Sequence, residues 1–197
     1  GVQRTIAHFM AGRATGGGIA WVGVLCRTPF NYDVTSANCG ALTGTVNAGG
    51  DYGFTGGISG NFNPGAPQVV WDILAVAHEI GHNFNSPHTH CYGNVPSTGL
   101  PPIDQCVSTA GSANCFNGTP VLPGPQGQGS GTIMSYCHLR PGGYSNITFT
   151  FGQGHAFGNQ PERAPTRMAL HAQSRDAAVP TCFAIDDTIF ANGFQVQ

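Results

Sequence analysis

Residues 78–88 read His-Glu-Ile-Gly-His-Asn-Phe-Asn-Ser-Pro-His, and no other stretch restricts the fold as tightly. Each helical residue turns about 100°, so positions four apart share a face. On a helix, His78 and His82 therefore aim two imidazoles at one point, with Glu79 beside the first. The run leading into them carries Val69, Val70, Ile73, Leu74, Val76, Ala77 and Ile80, the content of a largely buried helix. A helix is predicted from Gln68 to Asn83, opening at Pro67 and stopping near Asn85, with Pro87 just beyond.

His88 lies beyond that helix. A continued helix would rotate it to the wrong side, so the chain must turn sharply near Asn85 to bring a third imidazole back. Asn tolerates the left-handed conformation better than most side chains, and Pro87 discourages further helix. Three imidazoles that leave a fourth position to water are the ligand set of a catalytic zinc. The segment predicts His78, His82 and His88 as metal ligands, Zn2+ as cofactor and Glu79 as general base. One of only two Glu in the chain falls inside it.

Composition narrows the rest. A chain of 197 residues suits one domain, or two lobes around a cleft. Hydrophobic residues, at 40%, are enough for a core. Charged residues, at 8%, are so few that the surface must be neutral and polar. The seven Arg are scattered, Lys is absent and the formal charge is −2. No basic stripe exists to hold nucleic acid, and no apolar run is long enough to span a bilayer. Seven Cys, none in a CxxC pair, read as a disulfide framework and an oxidising compartment. The odd number leaves one thiol free or paired outside the chain. Several pairings stay open: Cys91–Cys137 would tie the two halves of the site together, while Cys106–Cys115 and Cys26–Cys39 would close local loops.

Strands are predicted at 4–10, at 18–25 and, in short form, near 52–58. Gly, Asn and Thr dominate 26–66, residues 91–131 read as loop, and a second helix is predicted at about 161–176. A domain over 1–182 would be followed by a tail, 183–197, that carries Asp186, Asp187 and several aromatics.

The segment 78–88 resembles the long zinc-binding motif of the metzincin metalloproteases, H-E-x-x-H-x-x-G-x-x-H, with Asn85 in place of the usual Gly. Gly131-Thr132-Ile133-Met134-Ser135-Tyr136 resembles that family's Met-turn. The resemblance implies that Met134 packs under the ligand imidazoles and that Tyr136 binds zinc loosely or donates to the oxyanion. Ile6–Arg13 and Gly18–Cys26 are similar to the third and fourth strands of the reprolysin or adamalysin-like group. Thr89 stands where adamalysins usually have Asp, which points to a divergent branch. The end, Asp-Asp-x-Ile-Phe-Ala-x-Gly-Phe, resembles secreted bacterial proteins. In that family two strands and two helices precede the strand matched to 5–10. The resemblance therefore implies that an N-terminal part of the catalytic domain is missing before Gly1 or is supplied by another chain, while the abrupt opening in a strand-like run also fits a removed signal and pro-segment or a piece of a longer protein. It also adds Cys26–Cys182 as a competing disulfide.

The fold expected is α/β and metzincin-like: a mixed twisted sheet, the active-site helix below it, an irregular C-terminal lobe, and zinc in the cleft. The function expected is a secreted zinc endopeptidase, extracellular or periplasmic. Its protein or peptide substrate would lie extended along the cleft and pair with strand 18–25 as the sheet edge. Residues 138–150 would shape the first primed-side pocket. Two alternatives share the site: a non-proteolytic zinc-containing binding or adhesion module, and an amidase acting on cell-wall peptides. His90 and His138 lie near the motifs and read first as surface residues, while His8, His155 and His171 carry no assigned role. Asn117-Gly118-Thr119 and Asn146-Ile147-Thr148 fit the glycosylation pattern.

Overall fold

The structure, a computed structural model, describes residues 4–34, 44–60, 70–95 and 97–183. The start of the predicted first helix (residues 67–69), Cys39, and the tail from residue 184 onward lie outside the described residues.

Five short strands and two helices make up the regular structure: β1 (Ala7–Met10), β2 (Gly18–Ala20), β3 (Phe30–Val34), β4 (Gly44–Gly49), β5 (Tyr52–Thr55), α1 (Val70–Asn83) and α2 (Arg163–Ala178). The main sheet is mixed, in the order β1-β5-β2. β1 runs parallel to β5, with Ala7 opposite Tyr52, and β2 runs antiparallel to it, with Ile19 opposite Phe54. This is the small mixed α/β arrangement that the sequence predicts, and β2 is an edge of its sheet.

The predicted strand 18–25 is a strand only as far as Ala20. Beyond it, Gly23 (φ 71°) and Cys26 (φ 53°) adopt left-handed conformations that an extended strand cannot include. Val24 and Leu25 are buried, as their apolar character requires, but the backbone there bonds the end of α1 and not a neighbouring strand. Gly23 N–H donates to His82 O and Val24 N–H to Asn83 O, at 2.9 and 3.1 Å. The second bond satisfies a carbonyl that the helix end otherwise leaves open. The buried Asn83 amide completes the joint by donating to Trp21 O and Tyr52 O, both at 3.1 Å.

β3 and β4 form a separate antiparallel pair inside the stretch dominated by Gly, Asn and Thr, where no strand is predicted before 52. Trp21 packs edge-on against Phe30 and Tyr32, which attaches this pair to the sheet. α2 covers 163–178, two residues later than predicted at each end.

After α1 the chain is irregular, with short 3-10 turns at Thr89–Cys91, Cys137–Leu139 and Gly143–Asn146. One apolar cluster joins the lobes: Leu74 of α1 packs on Ile133 and Met134, flanked by Ala77, Tyr144, Ile147 and Phe151. A second, built from Tyr92, Ile103 and Ala164, lies within the lower lobe.

Three disulfides brace this lobe: Cys26–Cys182, Cys91–Cys115 and Cys106–Cys137. Cys26–Cys182 is one of the pairings left open by the sequence. Cys91–Cys137, Cys106–Cys115 and Cys26–Cys39 are corrected, and backbone bonds explain why. Gly93 N–H donates to Asn114 O and Phe116 N–H to His90 O, which lays Cys115 beside Cys91. Ile103 N–H donates to Thr89 O, and Thr89 N–H to Met134 O, which brings Cys106 under Cys137. Cys26 is already bonded to Cys182. No helix among the described residues is long and apolar enough to cross a membrane.

Candidate metal centre

α1 ends in a Schellman cap. Asn85 N–H donates to His82 O (2.8 Å) and Ser86 N–H to Gly81 O (3.1 Å), with Asn85 left-handed at φ 75°. The sharp turn predicted at Asn85 is therefore present, and it redirects the chain so that His88 comes back over α1. The side chains of His78, His82 and His88 converge, with one ring nitrogen from each lying within 4.8 Å of the others. Nε2 of His82 and Nε2 of His88 stand 3.2 Å apart.

Two of the three imidazoles are held from behind. The Nδ1–H of His78 donates to Ile133 O at 2.7 Å, and that of His82 to Ser86 O at 2.7 Å. Each bond fixes the tautomer that leaves Nε2 with a free lone pair. Burial drives the His78 pKa down to about 3 and that of His88 to about 2, reinforced by the mutual repulsion of the neighbouring histidines. Burial also lowers His82. All three are thus kept in the neutral form that binds a cation.

The donor set fits zinc. Two ligands on a tetrahedral ion at about 2.0–2.1 Å stand about 3.3 Å from each other, close to the spacing of the His82 and His88 nitrogens. Two further clusters of potential ligands, His90-Cys91-Cys115 and Asp104-Cys106-Cys137, are committed otherwise, because their cysteines are in disulfides.

Glu79 is 6% exposed beside His78. Its carboxylate lies against the backbone of β2, where a Cβ on Gly18 would collide with Cγ, Cδ and Oε1. Burial pushes its pKa up to about 7.

Met134 is fully buried in the Ile133–Met134 turn beneath α1. Gly81, the second variable position of the helical motif, faces it so closely that a Cβ there would collide with Met134 Sδ. The turn also anchors the histidine cluster through its carbonyls: Ile133 O holds His78, and Met134 O accepts both Thr89 N–H (3.0 Å) and Thr89 Oγ1–H (3.1 Å). In the sequence Thr89 stands out only as a departure from the adamalysin pattern. Here it ties the segment carrying His88 to the turn.

Tyr136 lies among imidazoles, with ring centroids 4.4 Å from His88, 5.8 Å from His78 and 5.5 Å from His90. Burial, and then the charge of Glu79, raises its pKa, so the phenol stays protonated. His90 is not the surface residue the sequence suggests. It is buried, stacks on His88 at 5.4 Å and reaches Thr109 Oγ1 through Nε2 at 3.1 Å. Its only signal in the sequence is its place between His88 and Cys91. His138 is half-buried and stacks on Tyr144.

Two cavities flank the cluster. One, of about 220 Å³, is bounded by Trp71, Leu74, His78, Glu79, Tyr136 and His138. The other, of about 290 Å³, follows β2 past Glu79, His82 and His88. Together they make a cleft along the free side of β2. Of the residues without an assigned role, His8 bonds Thr55 Oγ1 and His155 bonds Ser130 O, while His171 lies on α2.

Residues 2–148 match the Reprolysin_5 family model, described as metallo-peptidase family M12. Searches of curated proteins and of solved structures return no match. The matched residues run from before β1 through the three histidines and Tyr136, and stop short of α2.

Proposed function

The chain belongs to metallo-peptidase family M12, and from that membership we propose that it is a secreted zinc endopeptidase with His78, His82 and His88 as ligands and Glu79 as general base. The observation that carries the reading is the convergence of three histidine rings: Nε2 of His82 and Nε2 of His88 lie 3.2 Å apart, and the Nδ1–H groups of His78 and His82 are each fixed by a backbone carbonyl. Three disulfides support an oxidising compartment.

A zinc ion held there supplies a Lewis acid that polarises a carbonyl oxygen, acidifies water and favours the ionised form of a nearby carboxylate. Glu79 takes the proton of the attacking water and passes it to the leaving amine. Losing such a base typically costs about 10²–10⁴-fold in rate. The protonated Tyr136 phenol donates a hydrogen bond to the oxygen that gains negative charge. An extended peptide adds to the free edge of β2, where Ile19 is exposed, and its backbone is held across the cluster. The cavity lined by Trp71 and His138 receives a side chain next to the cut bond.

Incubation of the protein with a mixed proteome, beside Glu79→Gln, followed by mass spectrometry of new peptide ends, tests this. New ends from the native protein alone, abolished by a zinc chelator, are expected. A folded, zinc-loaded protein that makes none would refute the protease reading.

A further inference from the structure

The turn that returns His88 is occupied by a residue that does not take it freely. A left-handed backbone is open to Gly, whereas any side chain crowds its own carbonyl. Asn85 nonetheless sits at φ 75°. Its side chain is confined on two sides. Oδ1 faces Gly23 so closely that a Cβ there would meet it at 2.9 Å. On the other side stands Arg167, on α2 in the remote C-terminal part of the chain. Its Nε–H donates to Asn85 O at 2.6 Å and its Nη2–H to Asn85 Oδ1 at 3.0 Å.

We propose that Arg167 is a positioning residue of the metal site, whose two-point grip on Asn85 holds the turn that presents His82 and His88 together. The proposal rests on the metal-site reading above. The mechanical route is short. Asn85 N–H bonds His82 O, and the next residue, Ser86, supplies the carbonyl that orients the His82 imidazole. A turn that relaxes at Asn85 therefore rotates the His82 ring and moves the start of the segment leading to His88.

α2 is itself fixed firmly enough to act as the anchor. Arg163 donates to Tyr92 O, Pro101 O and Asn159 O, and Arg175 donates to Leu25 O at 2.8 Å. Arg167 is the arginine between them, and its planar fork matches two acceptors on one residue as a Lys ammonium cannot. A clamp and an Asn in the turn thus substitute for a glycine that would need neither.

The test is zinc affinity, measured on the full chain by competition with a chromogenic chelator, with thermal unfolding of the metal-free proteins beside it. His88→Ala is the reference. If it binds zinc as tightly as the unsubstituted protein, the metal site itself is wrong. Arg167→Ala is expected to bind zinc about 10–100-fold more weakly, the usual effect of losing a residue that orients a ligand. Arg167→Lys should recover only part of that loss. Asn85→Gly should bind close to normally, and adding Arg167→Ala to it should change affinity by less than about threefold, because Gly takes the turn unaided. A merely stabilising arginine would lower the melting temperature in both backgrounds and leave zinc affinity alone. Unchanged zinc affinity in Arg167→Ala, or an equal loss in the Asn85→Gly background, overturns the proposal. If Arg167→Ala does not fold alone, Arg167→Lys and the double variant are read by the same criteria.

Discussion

Replacing Gly81 by Ala sets two effects of opposite sign against each other. Gly81 lies inside α1, where Ala is favoured over Gly by about 1 kcal/mol. The added Cβ, however, would collide with Met134 Sδ and come within 3.0 Å of Phe151 Cε1. Met134 has no room to yield, since it is fully buried against Leu74 and Ile133. Overpacking of this kind costs about 1–3 kcal/mol. With two contacts on a closed core the upper end applies, so the net loss is about 2 kcal/mol. For a chain of this size that lowers the melting temperature by about 4–8 °C. Thermal unfolding of the metal-free protein, followed by circular dichroism, measures it. Repeating the substitution in Met134→Ala isolates the cause. That variant alone costs about 2–5 kcal/mol, but it removes the sulfur, so Gly81→Ala on top should be within about 1 kcal/mol of neutral. A raised melting temperature for Gly81→Ala alone, or the same loss in both backgrounds, would show that Met134 does not set the space over this helix.

Asn146 fits the glycosylation pattern but is completely buried. Its amide donates to Cys137 O and Pro141 O, both at 3.0 Å, and its Oδ1 accepts Gly127 N–H at 2.7 Å. Protein secreted from a glycosylating host should carry no glycan at Asn146, by intact mass. Asn146→Ala should lose about 1–3 kcal/mol in denaturant unfolding, because it strands buried backbone groups. Burial also raises the pKa of Asp104, whose Oδ1 accepts Cys106 N–H at 3.0 Å. A carboxyl raised in the folded state stabilises the fold most below its ordinary range, and that contribution falls away as pH rises towards the folded pKa. Asp104→Asn keeps the acceptor and removes the titration. Its melting temperature should therefore gain on the native protein as pH rises through and above the ordinary carboxylate range, and an unchanged gap would contradict the assignment.

What the sequence reveals here follows from which residues carry periodic information. α1 and its histidines were legible because helical spacing and ligand spacing coincide in one segment, and because Asn85 and Pro87 mark the turn. β2 was over-extended because Trp21-Val22-Gly23-Val24-Leu25 has the composition of a strand. Instead Gly23 and Val24 bond the end of α1, Val24 and Leu25 are buried while Val22 is exposed, and the left-handed Gly23 and Cys26 mark the departure from a strand. The β3–β4 pair was hidden by Gly- and Asn-rich composition. Disulfide partners could not be read, since they follow from backbone bonds between loops, such as Phe116 N–H to His90 O, that leave no periodic trace. The same is true of His90. Polarity suggested solvent, and only tertiary packing turns it inward against His88.

The lower lobe has little regular structure, yet it holds one side of the candidate metal site, His88 and the turn beneath His78. It does so largely without ion pairs. Three of its arginines, Arg163, Arg167 and Arg175, donate to backbone carbonyls, and the one salt bridge among the described residues, Arg4 with Asp51, lies at the sheet. A charge bonded to a neutral carbonyl inside a fold is screened far less by salt than a surface ion pair. The geometry of the site should therefore survive high ionic strength. The same logic explains how a chain with so few charges can dispense with them. Carbonyls left open by irregular backbone need donors, and a guanidinium supplies several from one side chain. The scarcity of charge and the lack of regular structure in this lobe are thus linked: the three arginines of α2 are used where a helix or sheet ladder would otherwise have bonded the backbone to itself.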